Sequence, residues 1–257
     1  MSLKHALLEL RAFPFVVQQS GFGAAMNWLE PTLFRDPKVV PLTIYGTPVN
    51  IRTATPDAWV ALRSLGHEYD DLIEEVPSLE HNLIIDAGGY IGTAAIAFAR
   101  AYPDAKIISL EPSPSNFAIL QKNIAPYPNI IAIQAALGAE PGELTLRDRG
   151  TGPWGFTTVD NPEDNSGEEM VTIPCVTLGQ LMDEHGAAGI DILKLDIEGG
   201  EYRLFASADE WMPRTNAVCA ELHDRIVSGC TQRYNEATAG RRNSELPGDK
   251  CLSLKPA

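Results

Sequence analysis

From Asn82 onward the chain alternates short apolar runs with longer stretches whose apolar residues recur at helical intervals. NLIID, KIISLE, IIAIQAAL, IDILKLD and NAVCAELH are the runs, which predicts strands buried on both faces. TAAIAFARAY, SNFAILQKNI, LGQLMDEHG and GGEYRLFAS lie among them and read as amphipathic helices. Strand–helix alternation of this kind predicts an α/β fold with a doubly wound, mostly parallel sheet and helices on both faces. ELTLRD and MVTIPCVTL are two further strands flanking residues 148–169. That stretch is rich in Gly, Pro and acid and predicts a long loop, functional or mobile. Trp154 and Phe156, set between glycines, suit a lid over a cleft; an acidic surface insertion is the alternative.

Before this alternation the pattern is different. Residues 1–36 read as helical, broken by Pro14 and by the glycines at 21–23. Residues 39–53 alternate well enough for a small hairpin turning at Gly46-Thr47. Thr55-Pro56-Asp57 supplies a cap and an N1 proline for a helix starting near Asp57, and EYDDLIEEV forms a second helical piece. The tail holds a helix over about 229–240 and a closing hairpin around Pro247-Gly248. The expected organisation is an N-terminal extension, 1–56, followed by one large domain, 57–257.

Composition narrows the function. A formal charge of −14 without a Lys/Arg cluster argues against a nucleic-acid partner, which would be held by its phosphates. The first 20 residues lack the apolar run of a signal peptide, and no segment has the length of a membrane helix. The four cysteines show no metal-ligand spacing and read as reduced thiols, so a cytoplasmic protein is expected.

In a doubly wound sheet the ligand lies at the carboxyl ends of the strands, near the point where strand order reverses. Asp86, Glu111, Gln134, Asp196 and Glu221 close the five runs, and four of them are acids. The first turn reads Asp86-x-Gly88-x-x-x-Gly92, unlike the GxGxxG of dinucleotide enzymes. A carboxylate at the root of the turn repels a pyrophosphate and suits a cationic ligand without phosphate. S-adenosylmethionine has an ammonium, a sulfonium and an adenosine, and leaves as S-adenosylhomocysteine. On this reading Gly88 brings the backbone close to the ligand, and Gly92 packs the helix on the strand. Glu111 then accepts hydrogen bonds from the ribose hydroxyls, and Ser113 or Asn116 reaches ribose or adenine, although capping is the commoner task of such residues. A plain β–α turn with Asp86 as a helix cap is the structural alternative.

KLDIEGGE carries Lys194, Asp196 and Glu198 at alternate positions, which points them to one side of the strand. Asp196 is placed at the cleft mouth, near the transferable methyl and the acceptor. His223, in ELHD at the next strand end, is the best-placed histidine for a general base, with Glu198 as the other candidate. Asp196 with Glu221 offers oxygen ligands to a divalent ion, a reading ranked behind proton transfer, and no metal is assigned.

Together these motifs resemble the FkbM-type family of S-adenosylmethionine-dependent methyltransferases. The likeness runs over about 57–223 and is carried by LIIDAGGYIGTAAIAFA, SLEPSPSNFAILQKNI, IAIQAALGAEPGELTL and, most specifically, VTLGQLMDEHGAAGIDILKLDIEGGEYRLF. It implies a Rossmann-like class I methyltransferase sheet and a cofactor cleft lined by Asp86, Gly88, Tyr90, Gly92, Glu111, Ser113, Asn116 and Asp196. It further implies that Tyr69 or Glu68, in the segment before the first strand, reaches the methionine end of the cofactor. Gly89 and Tyr90 stand where the family more often has an alanine-asparagine pair. The expected reaction is methylation of a hydroxyl on a small molecule, a secondary metabolite or sugar, by a protein compatible with a homo-oligomeric state. The rivals are a nicotinamide-dependent oxidoreductase, which keeps Glu111 and leaves Asp86 and KLDIEGGE unexplained, and a non-catalytic scaffold.

Overall fold

The computed structural model describes residues 3–34, 36–159 and 168–256. Helices α1 (Leu3–Ser20) and α2 (Phe22–Phe34) open the chain. Pro14 lies inside α1 and does not break it, contrary to expectation. A proline removes one ladder bond, but Ala12 and Val16 on either side are buried in the core and hold the helix. The break falls at Gly21, with a φ of 83°. Strands β1 (Val39–Ile44) and β2 (Thr47–Arg52) form the hairpin. Its turn is Tyr45-Gly46, both at positive φ, one residue earlier than expected because Ile44 pairs with Thr47. Helices α3 (Asp57–Ser64) and α4 (Asp70–Glu75) follow. Pro56 is the residue before α3 rather than its first residue.

The alternation then proceeds through β3 (Leu83–Ala87), α5 (Thr93–Ala101), β4 (Lys106–Leu110), α6 (Pro114–Ile124) and β5 (Ile130–Ile133). A small three-stranded sheet comes next: β6 (Ala136–Leu137), β7 (Gly142–Asp148) and β8 (Glu168–Val176). The run IIAIQAAL is thus two strands, β5 in the main sheet and β6 in the small one. The chain continues with α7 (Leu178–Glu184), β9 (Ile190–Leu195), α8 (Glu201–Ala206), β10 (Thr215–Glu221) and α9 (Cys230–Ala237), and ends in β11 (Arg242–Leu246) and β12 (Lys250–Leu254).

Among the described residues the main sheet has seven strands in the order β11-β12-β10-β9-β3-β4-β5, all pointing one way except β12, which is antiparallel to β10 and β11. This is the doubly wound, Rossmann-like α/β architecture. Strand order reverses between β3 and β9, so the crevice for a ligand opens there. Alternate residues feed two apolar layers. Ile84, Ile107, Ile192 and Cys219 pack with α1, α2, α3, α5 and α6, while Ile85, Ile108, Leu193 and Val218 pack with α7 and α8. The N-terminal extension shares the first of these clusters through Trp28, Ile44 and Ile51. Register places Ser109, Asp86, Lys194 and Cys219 side by side across four strands. This row of mostly polar groups lies in the buried middle of the sheet and needs internal partners.

Candidate active site

The polar row forms the floor of the crevice. Asp86 is fully buried, with Lys194 Nζ 3.1 Å from its Oδ1 and Ser109 Oγ donating to its Oδ2 at 2.8 Å. Lys194 also donates to the carbonyl of Gly88 at 2.8 Å, which ties the glycine turn to β9. Burial pulls the Lys194 pKa down, but the carboxylates of Asp86 and Asp196 outweigh it and hold the group above its ordinary value. Gly88 has a φ of 82°, and a Cβ there would lie 1.8 Å from the carbonyl oxygen of Asp196. It is glycine because two backbone turns meet, those after β3 and β9.

Above this floor is a cavity of about 580 Å³, lined by residues from both halves of the chain. At one end lies Glu111, buried at the end of β4. Its Oε1 accepts from Ser113 N at 2.8 Å and Asn116 Nδ2 at 3.2 Å, and its Oε2 accepts from Tyr90 N at 2.8 Å. Burial outweighs these donors and raises its pKa to about 7. The carboxylate therefore remains short of donors for its ionised form. Oε2, with a single protein partner, has capacity for more.

The N-terminal extension reaches this end of the cavity. Arg52 on β2 donates through Nε and Nη2 to the two oxygens of Asp57, both at 2.9 Å, and through Nη1 to Asn116 Oδ1 at 2.8 Å. Tyr90 donates its hydroxyl to Asp57 Oδ1 at 2.5 Å, and the Arg52 guanidinium lies over the Tyr90 ring. One connected network thus runs from Arg52 on the hairpin to two of the three residues that donate to Glu111, directly to Asn116 and through Asp57 to Tyr90. Tyr90 has a φ of 50°, a left-handed conformation that a bulky residue keeps only when its surroundings enforce it.

At the other end lie Asp196, Glu198 and Glu221, with His223 behind them. The side chain of Asp196 is 34% exposed and that of Glu198 12%, whereas His223 is buried at 1%. His223 Nδ1 lies 3.0 Å from Glu201 Oε1, and Glu201 is itself fixed by the backbone N–H groups of Ile197 and Gly199 at 2.8 Å. Burial lowers the pKa of His223, but its hydrogen bond to Glu201 and the charges of Glu201, Glu198 and Asp196 push it up to about 9. An imidazole that keeps its proton at neutral pH, and that does not line the cavity, is unsuited to the expected role of general base. Glu198 lines the cavity, is paired with Arg225 at 3.3 Å, and has its pKa raised by burial to about 7. It follows β9 with a φ of 48°, so it does not alternate along the strand with Lys194 and Asp196 as the spacing suggested.

Of the eleven residues assigned from sequence to catalysis or the cofactor cleft, Glu68 aside, seven line the cavity: Tyr69, Gly88, Tyr90, Glu111, Asn116, Asp196 and Glu198. Four do not. Asp86 lies beneath it, neutralised by Lys194, so it cannot be the charge that greets a cationic ligand. Gly92 starts α5 and packs against Leu120 and Ile124 of α6, not on the strand. Ser113 caps α6 and is buried. His223 is the fourth. Glu68 reaches the cavity but is occupied by Arg63 and Lys250, both at 2.7 Å.

Sequence reasoning missed Arg52, Asp57, Arg63 and Lys250. Lys250 comes from the tail and bridges Glu68 to Glu221, the latter at 3.6 Å. No local periodicity marks such residues; the one available signal was Asp57, an acid beside a proline where a Ser or Thr cap would serve equally. The loop expected over the cleft is represented by Pro153–Gly155, a single 3₁₀ turn, and by Phe156 and Thr158, all at the cavity wall. Asn116 Nδ2 donates to the carbonyl of Pro153 at 2.8 Å and Thr157 Oγ1 to that of Glu198 at 2.6 Å, so this part of the loop is docked. Residues 160–167 of the same loop lie outside the described residues.

The chain is similar to several known methyltransferases. "Methyltransferase sdnD" of Sordaria araneosa is 28% identical over 173 residues, 56% of this chain and 65% of that protein. "Hexuronic acid methyltransferase AglP" of Haloferax volcanii is 23% identical over 227 residues, 86% of this chain and 90% of its own length. "31-O-demethyl-FK506 methyltransferase FkbM" of Streptomyces tacrolimicus is 27% identical over 56% of this chain and 66% of that protein. The chain thus spans just under two thirds of the first of these relatives. A solved S-adenosylmethionine-dependent methyltransferase from Agrobacterium tumefaciens is a distant likeness, with a TM-score of 0.47 and 13% identity over 85% of this chain and 70% of that one. The family model for the methyltransferase FkbM domain matches residues 86–228, more than half the chain, from the buried acid of β3 to the turn after β10; the chain belongs to the FkbM methyltransferase family.

Proposed function

We propose that the protein transfers a methyl group from S-adenosylmethionine to a hydroxyl oxygen of a small molecule. The observation that carries this reading is Glu111. A buried carboxylate short of donors, at the end of the strand next to the glycine turn, is matched by the two hydroxyls of a ribose. Tyr90 and Asn116 hold it in position, and Trp59 and Leu137 offer apolar wall to an adenine. The acids Asp196, Glu198 and Glu221 at the far end suit the cationic half of the cofactor and disfavour a phosphate chain. Family membership supports the same donor.

When bound, the cofactor supplies a sulfonium methyl open to in-line displacement, with the breaking bond's electrons returning to sulfur. The protein's part is alignment and removal of one proton. Asp196 at the end of β9 orients the acceptor hydroxyl, and Glu198 takes its proton as the oxygen bonds to carbon. Glu198 has this role because it lines the cavity beside Asp196, whereas His223 is screened behind them. His223 and Glu201 brace the two carboxylates from below.

An oxygen acceptor is favoured by the names of two relatives, a 31-O-demethyl-FK506 methyltransferase and a 2-O-methyltransferase, and a third is named a hexuronic acid methyltransferase. The third matches the largest share of this chain, which favours a polyhydroxylated, sugar-like acceptor. A crystal grown with S-adenosylhomocysteine tests the reading. Its ribose is expected on Glu111 and its sulfur facing Asp196; an adenosine lying anywhere else in the cavity overturns the assignment.

A further inference from the structure

His223 Nε2 is buried, has no hydrogen-bond partner among the described residues, and points at the carboxylates of the cavity's far end. Three carboxylate oxygens approach it: Glu198 Oε1 at 3.5 Å, Asp196 Oδ1 at 3.7 Å and Glu221 Oε1 at 3.7 Å. These separations exceed those of hydrogen bonds, which lie at about 2.7–3.2 Å. They are close to those of atoms sharing an ion: two ligands each about 2.1 Å from a metal are about 3.0 Å apart at a right angle and about 3.4 Å at a tetrahedral one. Ligand atoms of Asp196, Glu221 and His223 all lie within 4.8 Å of one another.

The other side of the ring completes the pattern. Nδ1 is held by Glu201, whose second oxygen and backbone partners leave it no freedom to turn. A carboxylate on one imidazole nitrogen fixes the ring's orientation, and an ion that displaces the proton from the other nitrogen takes its lone pair, the arrangement that supports histidine as a metal ligand. Glu198 is taken by Arg225, while Lys250 is shared by Glu68 and Glu221 and Lys194 by Asp86 and Asp196. Even with the imidazolium counted, the bases among the described residues, two of them shared with Asp86 and Glu68, leave the cluster of four acids, Glu201 included, short of positive charge.

We infer that Asp196, Glu221 and His223 form a binding site for a divalent cation with a mixed nitrogen–oxygen preference, of the Mn²⁺ or Zn²⁺ type. Two of the ligands line the cavity and the third lies directly behind, so the ion has its remaining coordination positions toward the acceptor. Its role there rests on the proposed methyl transfer: it holds the acceptor oxygen as a Lewis acid, and Glu198, outside the ion's three ligands, takes the proton. The binding site itself does not depend on that reading.

The test uses the full chain, stripped with a chelator and free of cofactor. Mn²⁺ is titrated in and the free ion followed by electron paramagnetic resonance, with Zn²⁺ as competitor. S-adenosylhomocysteine binding is measured separately by calorimetry. The expected result is saturable binding of one ion per chain, weakened about tenfold or more in Glu221→Gln and in Asp196→Asn. Both residues are partly exposed, so neither variant endangers folding as a change at His223 would. Absence of saturable binding, as when the ring is held simply as an imidazolium among the acids, overturns the inference, as does binding that both variants leave unchanged. Ion binding without S-adenosylhomocysteine binding keeps the site and removes the methyl-transfer reading; the reverse outcome does the opposite.

Discussion

Asp86 and Lys194 are register partners on adjacent parallel strands, and their charged atoms lie 3.1 Å apart beneath the glycine turn. The pair does for the turn what a ligand was expected to do for Asp86: it supplies the positive charge. It also fixes the turn, since the same ammonium binds the Gly88 carbonyl. Lys194→Met removes the partner and leaves a buried carboxylate uncompensated. That change is expected to cost about 3–5 kcal/mol of stability by urea denaturation. A loss within experimental error would mean that water or another group satisfies Asp86.

Glu111 makes the cofactor affinity depend on pH. Its folded pKa, about 7, is above the ordinary value of 4.5, so the folded protein holds a proton there that the unfolded chain has lost. The contribution of this group to stability is therefore present at low pH and declines as pH rises from 4.5 through about 7. Ribose hydroxyls need the ionised form. With Lys194 and Arg52 as the charges that act on it and Tyr90 donating its N–H, binding of S-adenosylhomocysteine is expected to be about tenfold weaker at pH 6 than at pH 8. Glu111→Gln is expected to weaken binding and flatten that profile. A pH profile identical in wild type and variant would remove Glu111 from the cofactor site.

The hydroxyl of Tyr90 links the cofactor turn to the N-terminal extension. Tyr90→Phe deletes a hydrogen bond to a buried carboxylate but keeps the ring under Arg52. The expected loss is about 1.5–3 kcal/mol of stability together with weaker cofactor binding, because the turn that presents the Tyr90 N–H to Glu111 is loosened. Asp57→Asn is expected to act in the same direction. Thermal unfolding with and without S-adenosylhomocysteine separates the two effects; cofactor affinity unchanged in both variants would confine the network to a packing role.

Glu198 is assigned the proton. Glu198→Gln is expected to lower turnover by about a hundredfold or more while S-adenosylhomocysteine affinity stays within about twofold. Loss of cofactor affinity in step with turnover would instead make Glu198 a binding residue.

The strands β3, β4, β5, β9 and β10 of the central sheet were legible because each is a largely apolar run and the runs are spaced by helical segments, so period and length agree; that the closing hairpin, with its polar β11, extends the same sheet was not. The acids at strand ends were legible for the same reason, being charged residues that close largely apolar runs. Their orientation was not. Whether Asp86 meets the cavity or a neighbouring lysine is decided by register between β3 and β9, which no local pattern encodes. Arg52, Asp57 and Lys250 were invisible because they act across 64, 33 and 182 residues of sequence, on Asn116, Tyr90 and Glu68. His223 was found as a residue but misread in its role, since its charge state depends on three carboxylates of the turn after β9, Asp196, Glu198 and Glu201, together with Glu221 of its own strand end, and on how closely β9 and β10 bring them.

Calorimetry with S-adenosylhomocysteine and, in parallel, NADH tests the central claim most directly. The account predicts saturable binding of S-adenosylhomocysteine, abolished by Glu111→Ala, and no heat from the dinucleotide. Tight NADH binding, or S-adenosylhomocysteine binding that survives Glu111→Ala undiminished, would contradict it.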